Sequence, residues 1–126
     1  MLRWQGDRDS RDPALTAQYE SNLVALIKQL RLRYKAPNAP FVAASLGQST
    51  LPASKCEGNC GGGILQAELN IADATKYPEF KGNYAAVDSH KFTQPGGSSG
   101  SHYGHNAKTY MDVGQAMGEA MVGLMK

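Results

Sequence analysis

Apolar and polar positions along this chain follow two different periods. From Asp12-Pro13 onward, Leu15, Tyr19, Leu23, Leu26, Ile27, Leu30 and Tyr34 recur at helical spacing and predict one buried stripe of an amphipathic helix. Asp12 is placed to accept orphan amides of the first turn, and Pro13 sits where its missing N–H costs nothing. Lys28, Arg31, Arg33 and Lys35 gather at the far end, where the helix dipole favours cations, and read as a solvated helix end. Pro37-Asn38-Ala39-Pro40 stops the helix. Phe41 to Leu46 is then a continuous apolar run without strict alternation, the pattern of a strand buried on both faces.

The same two patterns repeat. Gly47 to Gly63 is a loop of small and polar residues. Ile64, Ala67, Leu69, Ile71 and Ala74 predict a helix from Ile64 to Thr75, and Tyr84-Ala85-Ala86-Val87 a second short buried strand closed by Asp88. Gln94 to Gly100 is rich in Gly and Ser and leads into Ser101-His102-Tyr103-Gly104-His105. Asn106 is the predicted cap of a last helix, Ala107 to Met125. Its apolar stripe is Tyr110, Val113, Met117, Ala120, Met121 and Leu124, with Lys108, Asp112, Gln115 and Glu119 opposite. Gly114 and Gly118 share one face of that helix, and each costs about 1 kcal/mol there relative to Ala. Close approach to another backbone is the compensation expected. Met1 to Trp4 reads as the end of a strand. The order strand, helix, strand, helix, strand, helix predicts an α/β fold: a three-layer sandwich on a small parallel sheet with right-handed crossovers. Ligands of such sheets bind beyond the carboxyl ends of the strands. Gln5 to Asp9, Gly47 to Gly63 and Asp88 to His105 fall there.

Composition narrows the picture modestly. The 126 residues make one domain, 1–126, without internal repeats, and 41% hydrophobic with 19% charged residues is ordinary for a globular protein. A formal charge of +2 gives no reason to expect nucleic acid. No apolar run reaches the roughly 18 residues needed to cross a bilayer, so no membrane is expected. The first six residues have no apolar core of the kind a signal peptide carries. The chain is therefore expected in the cytoplasm if it is complete, and outside it if it belongs to a longer precursor. Cys56 and Cys60 form a Cys-x3-Cys pair, read as a local disulfide or two free thiols. A zinc site recruiting His90, His102 or His105 is the other reading, and a lone pair at this spacing is weak evidence for it. Neither a metal nor another cofactor is expected.

The residues able to carry chemistry are His102, His105, Asp88, Ser49 and Gln5. A histidine exchanges its proton near neutral pH and can serve as a general base. On an ester it also needs a hydroxyl nucleophile within reach and donors for the oxyanion. A loop histidine is more often a surface or packing residue than a base, so His102 needs support from elsewhere in the chain.

That support is a resemblance. Trp4-Gln5-Gly6-Asp7-Arg8-Asp9 resembles the Gln-Gly-Glu-x-Asp block of the sialate O-acetylesterase and acetylxylan esterase branch of the SGNH hydrolases. Pro40 to Gly47 is similar to the strand that follows in that family, and Leu65 to Asp88 to its next helix and strand. Gly100-Ser101-His102-Tyr103, running into Asn106 to Gly118, resembles its last block, where the catalytic histidine precedes the final helix. The resemblance implies an SGNH, flavodoxin-like half-domain corresponding to the C-terminal part of the family fold. It implies His102 as general base, Gln5 as side-chain donor to the oxyanion, and Gly6 as the residue that permits the turn. Asp7 stands where the family has Glu, and Asp9 where it has Asp. With His105, these would line the cleft for an acetylated carbohydrate or small ester.

The sequence also departs from the family. The Gly-x-Ser nucleophile block belongs upstream of the Gln-Gly block, and residues 1–4 leave no room for it here. The acid three residues before the histidine corresponds to Ser99, so Asp88, at a strand end, is the substitute expected. Gly47-Gln48-Ser49-Thr50 resembles a Gly-Gln-Ser nucleophile block but follows the Gln-Gly block, the reverse of the family order. Ester hydrolysis by Ser-His chemistry is therefore expected with the nucleophile block missing. The alternative is a non-catalytic binding or interaction protein on the same half-fold. A sheet without its leading strands has an open edge, so a homodimer, a larger oligomer or a partner chain covering that edge is expected.

Overall fold

The computed structural model describes residues 1–51, 53, 60–93 and 102–126. Its elements run β1 (Leu2–Trp4), α1 (Pro13–Arg33), β2 (Phe41–Ala44), α2 (Gly61–Ala72), β3 (Tyr84–Val87) and α3 (Ala107–Leu124). The strands form a parallel sheet in the order β1-β2-β3, with Leu2 opposite Val42 and Ala43 opposite Ala86. Short 3-10 turns sit at Asp9–Arg11, Pro78–Phe80 and Ser89–Phe92. This is the expected α/β three-layer arrangement on a small open sheet, consistent with half of an SGNH, flavodoxin-like domain.

Side chains alternate across the sheet with the period of 2 that a strand imposes. Phe41, Ala43, Tyr84 and Ala86 face α1 and α2, where Tyr19, Leu23, Ile27, Ile64, Ala67 and Ile71 complete a buried cluster. Val42, Ala44 and Val87 face α3, where Val113 and Met117 close a smaller cluster flanked by Trp4. The predicted caps form. The Asp12 carboxylate accepts from the Ala14 and Leu15 amides at 2.8 and 3.4 Å, and the Asn106 side-chain oxygen accepts from the Thr109 amide at 3.1 Å.

Four expectations need correction. Leu26 lies on the α1 stripe but is 41% exposed, because the buried row is the narrower Tyr19–Leu23–Ile27, and Tyr34 is 70% exposed because the helix ends at Arg33 and leaves it as the C-cap. Tyr110, placed in the α3 stripe, is likewise exposed and stands at the rim of a cleft. The basic end of α1 is not wholly solvated: half-buried Arg31 donates to the Ala39 and Asn83 carbonyls at 2.9 Å and lies over the Phe80 ring. The second helix begins at Gly61 and ends at Ala72, so it starts before its first apolar residue. Gly63 lets it do so, since a Cβ there would come within 2.6 Å of Thr16 on α1.

Gly114 and Gly118 also depart from expectation. A Cβ at either position would meet nothing within 4 Å, so no described backbone approaches them. Cys60 is buried and is not a free thiol, whereas Cys56 lies outside the described residues. So does Ser99. No helix among the described residues is long and apolar enough to cross a membrane.

Candidate active site

At the carboxyl end of the sheet, a cleft of about 260 Å3 is lined by Trp4, Gln5, Gly6, Asp7, Leu46, His102, Tyr103 and Tyr110. The turn after β1, the end of β2 and the approach to α3 each contribute, as expected where parallel strands end. Gly6 has φ +143°, a conformation that favours glycine. Its carbonyl accepts from the Ser10 amide at 2.9 Å, which folds the chain back toward α1.

Gln5 is oriented by Arg3, whose Nη2 donates to its Oε1 at 2.6 Å. Arginine can only donate, so the Gln5 side-chain oxygen faces the guanidinium and the two amide protons are left as its free end. Asp7 ties the turn to its neighbours: its carboxylate pairs with Arg11 at 2.6 Å and accepts from Gln48 Nε2 at 3.4 Å.

The wall carrying His102 is built on three aromatic rings. Trp4 and Tyr103 stack with centroids 5.4 Å apart, and Tyr110 meets both edge-on at 5.5 and 5.9 Å. Trp4 Nε1 donates to the Ser45 carbonyl at 2.9 Å, which fixes the platform to the end of β2. The Gly47 amide donates to the Tyr103 hydroxyl at 3.0 Å, and Tyr110 OH donates to the His102 carbonyl at 3.0 Å. Gly47 has room for no side chain: a Cβ would come within 2.1 Å of Thr93 and 2.6 Å of the Tyr103 ring.

The backbone of this wall is strained. His102, Tyr103, Gly104 and His105 all have φ between 52° and 60°, a left-handed turn with three non-glycine members. Each of those three costs roughly 1–2 kcal/mol in that region. Such a conformation persists only where its surroundings impose it, and here the Tyr103 stack and the Tyr110 hydroxyl do so.

The residues singled out from the sequence divide into two groups. Gln5, Gly6, Asp7 and His102 share the cleft. Asp9 opens the neighbouring 3-10 turn and accepts from the Thr16 hydroxyl through its carbonyl. His105 is exposed beyond the strained turn. Asp88 caps the Ser89–Phe92 turn, accepting from the His90 amide at 3.2 Å, and stands 3.8 Å from Lys91. Ser49 is fully buried, its Oγ has no hydrogen-bond partner, and it does not line the cleft. Among the described residues no group of three or more His, Cys, Asp or Glu could hold a metal ion.

Two features are not evident from the sequence pattern. The aromatic wall is one, because an apolar stripe does not distinguish Tyr110 at a rim from a core residue. The other is Glu68, buried on α2 beneath the Gln5 turn. Its signal was present: a carboxylate four residues after Ile64 and three before Ile71 sits on the apolar stripe.

A family model described as carbohydrate esterase, sialic acid-specific acetylesterase, matches residues 1–123. No curated protein and no solved structure matches the chain significantly.

Proposed function

This chain belongs to the carbohydrate esterase family of sialic acid-specific acetylesterases, and on that premise we propose that its cleft binds an O-acetylated sugar for ester hydrolysis, with His102 as general base and Gln5 as oxyanion donor. The observation that carries this reading is the Arg3–Gln5 contact, which turns a neutral amide into a donor of fixed polarity in the cleft that holds His102. Trp4, Tyr103 and Tyr110 offer apolar ring surface to the C–H face of a sugar, while Asp7 at the rim accepts from its hydroxyls.

In the proposed reaction a serine hydroxyl attacks the acetyl carbonyl as His102 takes its proton. The oxyanion accepts from Gln5 Nε2–H, and the imidazolium returns the proton to the departing sugar oxygen. Water then repeats the attack on the acyl-serine and releases acetate. The described residues that line the cleft include no Ser, Thr or Cys, so the serine of this reading lies outside that described lining. The same observation favours a second reading, a sugar-binding protein without turnover. Asp88 supports it too, being engaged with His90 and Lys91.

Trp4 is the chain's one tryptophan, so intrinsic fluorescence reports on the cleft directly. Titration with O-acetylated sialic acid should change that fluorescence, and hydrolysis of p-nitrophenyl acetate should be abolished by His102→Ala. A sugar-dependent fluorescence change with no hydrolysis above the His102→Ala background selects the binding reading. Silence in both assays rejects both. Hydrolysis that survives His102→Ala and fails in Ser49→Ala rejects the proposed base.

A further inference from the structure

Beneath the Gln5 turn lies a buried polar cluster contributed by four elements. Tyr19 on α1 has its hydroxyl 3.0 Å from the Gln5 backbone carbonyl oxygen and 2.9 Å from Glu68 Oε1 on α2. Arg3 on β1 donates to the same hydroxyl oxygen at 3.3 Å, and its guanidinium lies 5.2 Å from the Tyr19 ring centroid. Tyr84 on β3 completes the cluster with a buried hydroxyl that has no partner. Glu68 Oε2 is also buried without a partner.

Counting protons decides how this cluster is wired. The Tyr19 hydroxyl has one proton and two acceptors competing for it, the Gln5 carbonyl and Glu68 Oε1. With Glu68 ionised, one acceptor goes without. With Glu68 neutral, the acid proton is donated to the Tyr19 oxygen, which also accepts from Arg3, and the Tyr19 proton is left for Gln5. Only the neutral acid satisfies every contact.

We propose that Glu68 is a positioning residue that acts as a neutral carboxylic acid, holding the Gln5 turn through Tyr19, so that its ionisation withdraws the Tyr19 proton from the Gln5 carbonyl and loosens the oxyanion donor. This deepens the esterase reading of the cleft and rests on it for the catalytic consequence only; the proton relay stands on its own geometry. The charged and titratable groups facing Glu68 are Tyr19, Arg3 and Tyr84. Burial raises the Glu68 carboxyl to about 7, against smaller opposing contributions from the Tyr19 hydrogen bond and the Arg3 charge. The Tyr19 phenol is raised by burial first and by Glu68 second, so it remains a donor over the same range.

The test follows the Gln5 backbone carbonyl carbon by NMR in the isotopically labelled chain from about pH 5 to about pH 9, a span that covers the Glu68 carboxyl's titration. Its shift should titrate with a midpoint near 7, where Glu68 ionises. The titration should persist in His102→Ala, which removes the cleft histidine. It should vanish in Glu68→Gln, whose amide donates to Tyr19 at every pH, and in Tyr19→Phe, which breaks the relay. A flat Gln5 carbonyl in the wild type, or a titration that survives Glu68→Gln, overturns the proposal. Activity is read separately as the ratio of wild type to Glu68→Gln, in which pH effects common to both chains cancel. That ratio should fall about fivefold across the midpoint, the worth of one net hydrogen bond. A titrating carbonyl without hydrolysis removes the esterase reading and leaves the relay standing; hydrolysis with a flat carbonyl does the reverse.

Discussion

The two faces of the sheet are built on opposite terms. The face toward α1 and α2 is closed. Two helices cover it, Glu20 bridges them by accepting from Asn70 at 2.8 Å and from the Tyr77 hydroxyl at 2.6 Å, and even a carboxyl is buried there. The face toward α3 has one helix. Three strands about 4.8 Å apart are wider than one helix about 10 Å across can cover. Val42 on β2 is therefore fully buried, while Leu2, its register partner on β1, is 55% exposed. The cleft opens where coverage gives out, with Trp4 on the thinly covered side and Gln5 braced from the closed side through Arg3 and Tyr19. The closed face supplies rigidity, and the open face supplies access.

The largest expected effect tests that contrast in packing. Ile27→Ala removes a fully buried side chain from the closed face. Large-to-small substitutions of this kind cost about 2–5 kcal/mol, and more where the surroundings cannot collapse. We expect about 4 kcal/mol for Ile27→Ala. For Met117→Ala on the α3 side we expect about 2 kcal/mol, because its neighbours Ala120, Met121 and Leu124 are only half-buried and free to shift. Urea midpoints at unchanged slope measure both. Equal costs would mean that the α3 face is closed as tightly as the other.

Next in size is a pH effect confined to the closed face. The Glu68 carboxyl is raised from 4.5 to about 7, so the folded state holds a proton that the unfolded state has lost. The stability this gives is complete below about pH 4.5 and is lost as pH rises through about 7, a change of about 3 kcal/mol at most. Asp73 and Glu79 are shifted the opposite way by Thr75 and Lys28. Their contribution is lost only as pH falls below the ordinary carboxylate range, outside this window. Denaturation midpoints should therefore fall between pH 4.5 and 7 in the wild type and stay level in Glu68→Gln. A wild-type midpoint that holds constant or rises there would show that Glu68 ionises freely.

What the sequence disclosed and what it hid follow the same division. The strands and the caps Asp12 and Asn106 were legible because each depends on local chemistry, an apolar run or a side chain reaching its own helix. Gln5 and His102 were legible only through the order of short motifs; nothing in either neighbourhood states that the two share a cleft. Leu26 misled because periodicity gives a helix face its direction but not its width, and Tyr34 because the spacing continues past the residue where the helix stops. Glu68 was overlooked because one charge on an apolar stripe looks like noise until Tyr19 and Arg3, from two other elements, are seen to meet it. Tyr103 depends on a left-handed turn that no propensity foretells, held by contacts with Trp4 and Gly47 that are remote in the chain.

The smallest effect asks whether the open face stays open. A methyl group on Gly114 or Gly118 would have no neighbour within 4 Å, so Ala at either should gain helix propensity without a clash. Each substitution is expected to stabilise the chain by about 0.5–1 kcal/mol, read as a rise in the urea midpoint. The sequence pointed the other way, toward glycines kept small for a neighbouring backbone, and within the described residues that neighbour does not exist. Met111 and Val122, 74% and 54% exposed on the same helix, leave apolar surface beside them. If Gly114→Ala and Gly118→Ala instead destabilise, and do so more at higher protein concentration, a second chain packs against α3, and the homodimer expected from the uncovered sheet gains its interface. If they stabilise equally at every concentration, α3 presents its glycine face to solvent and any partner must meet another surface, such as a sheet edge.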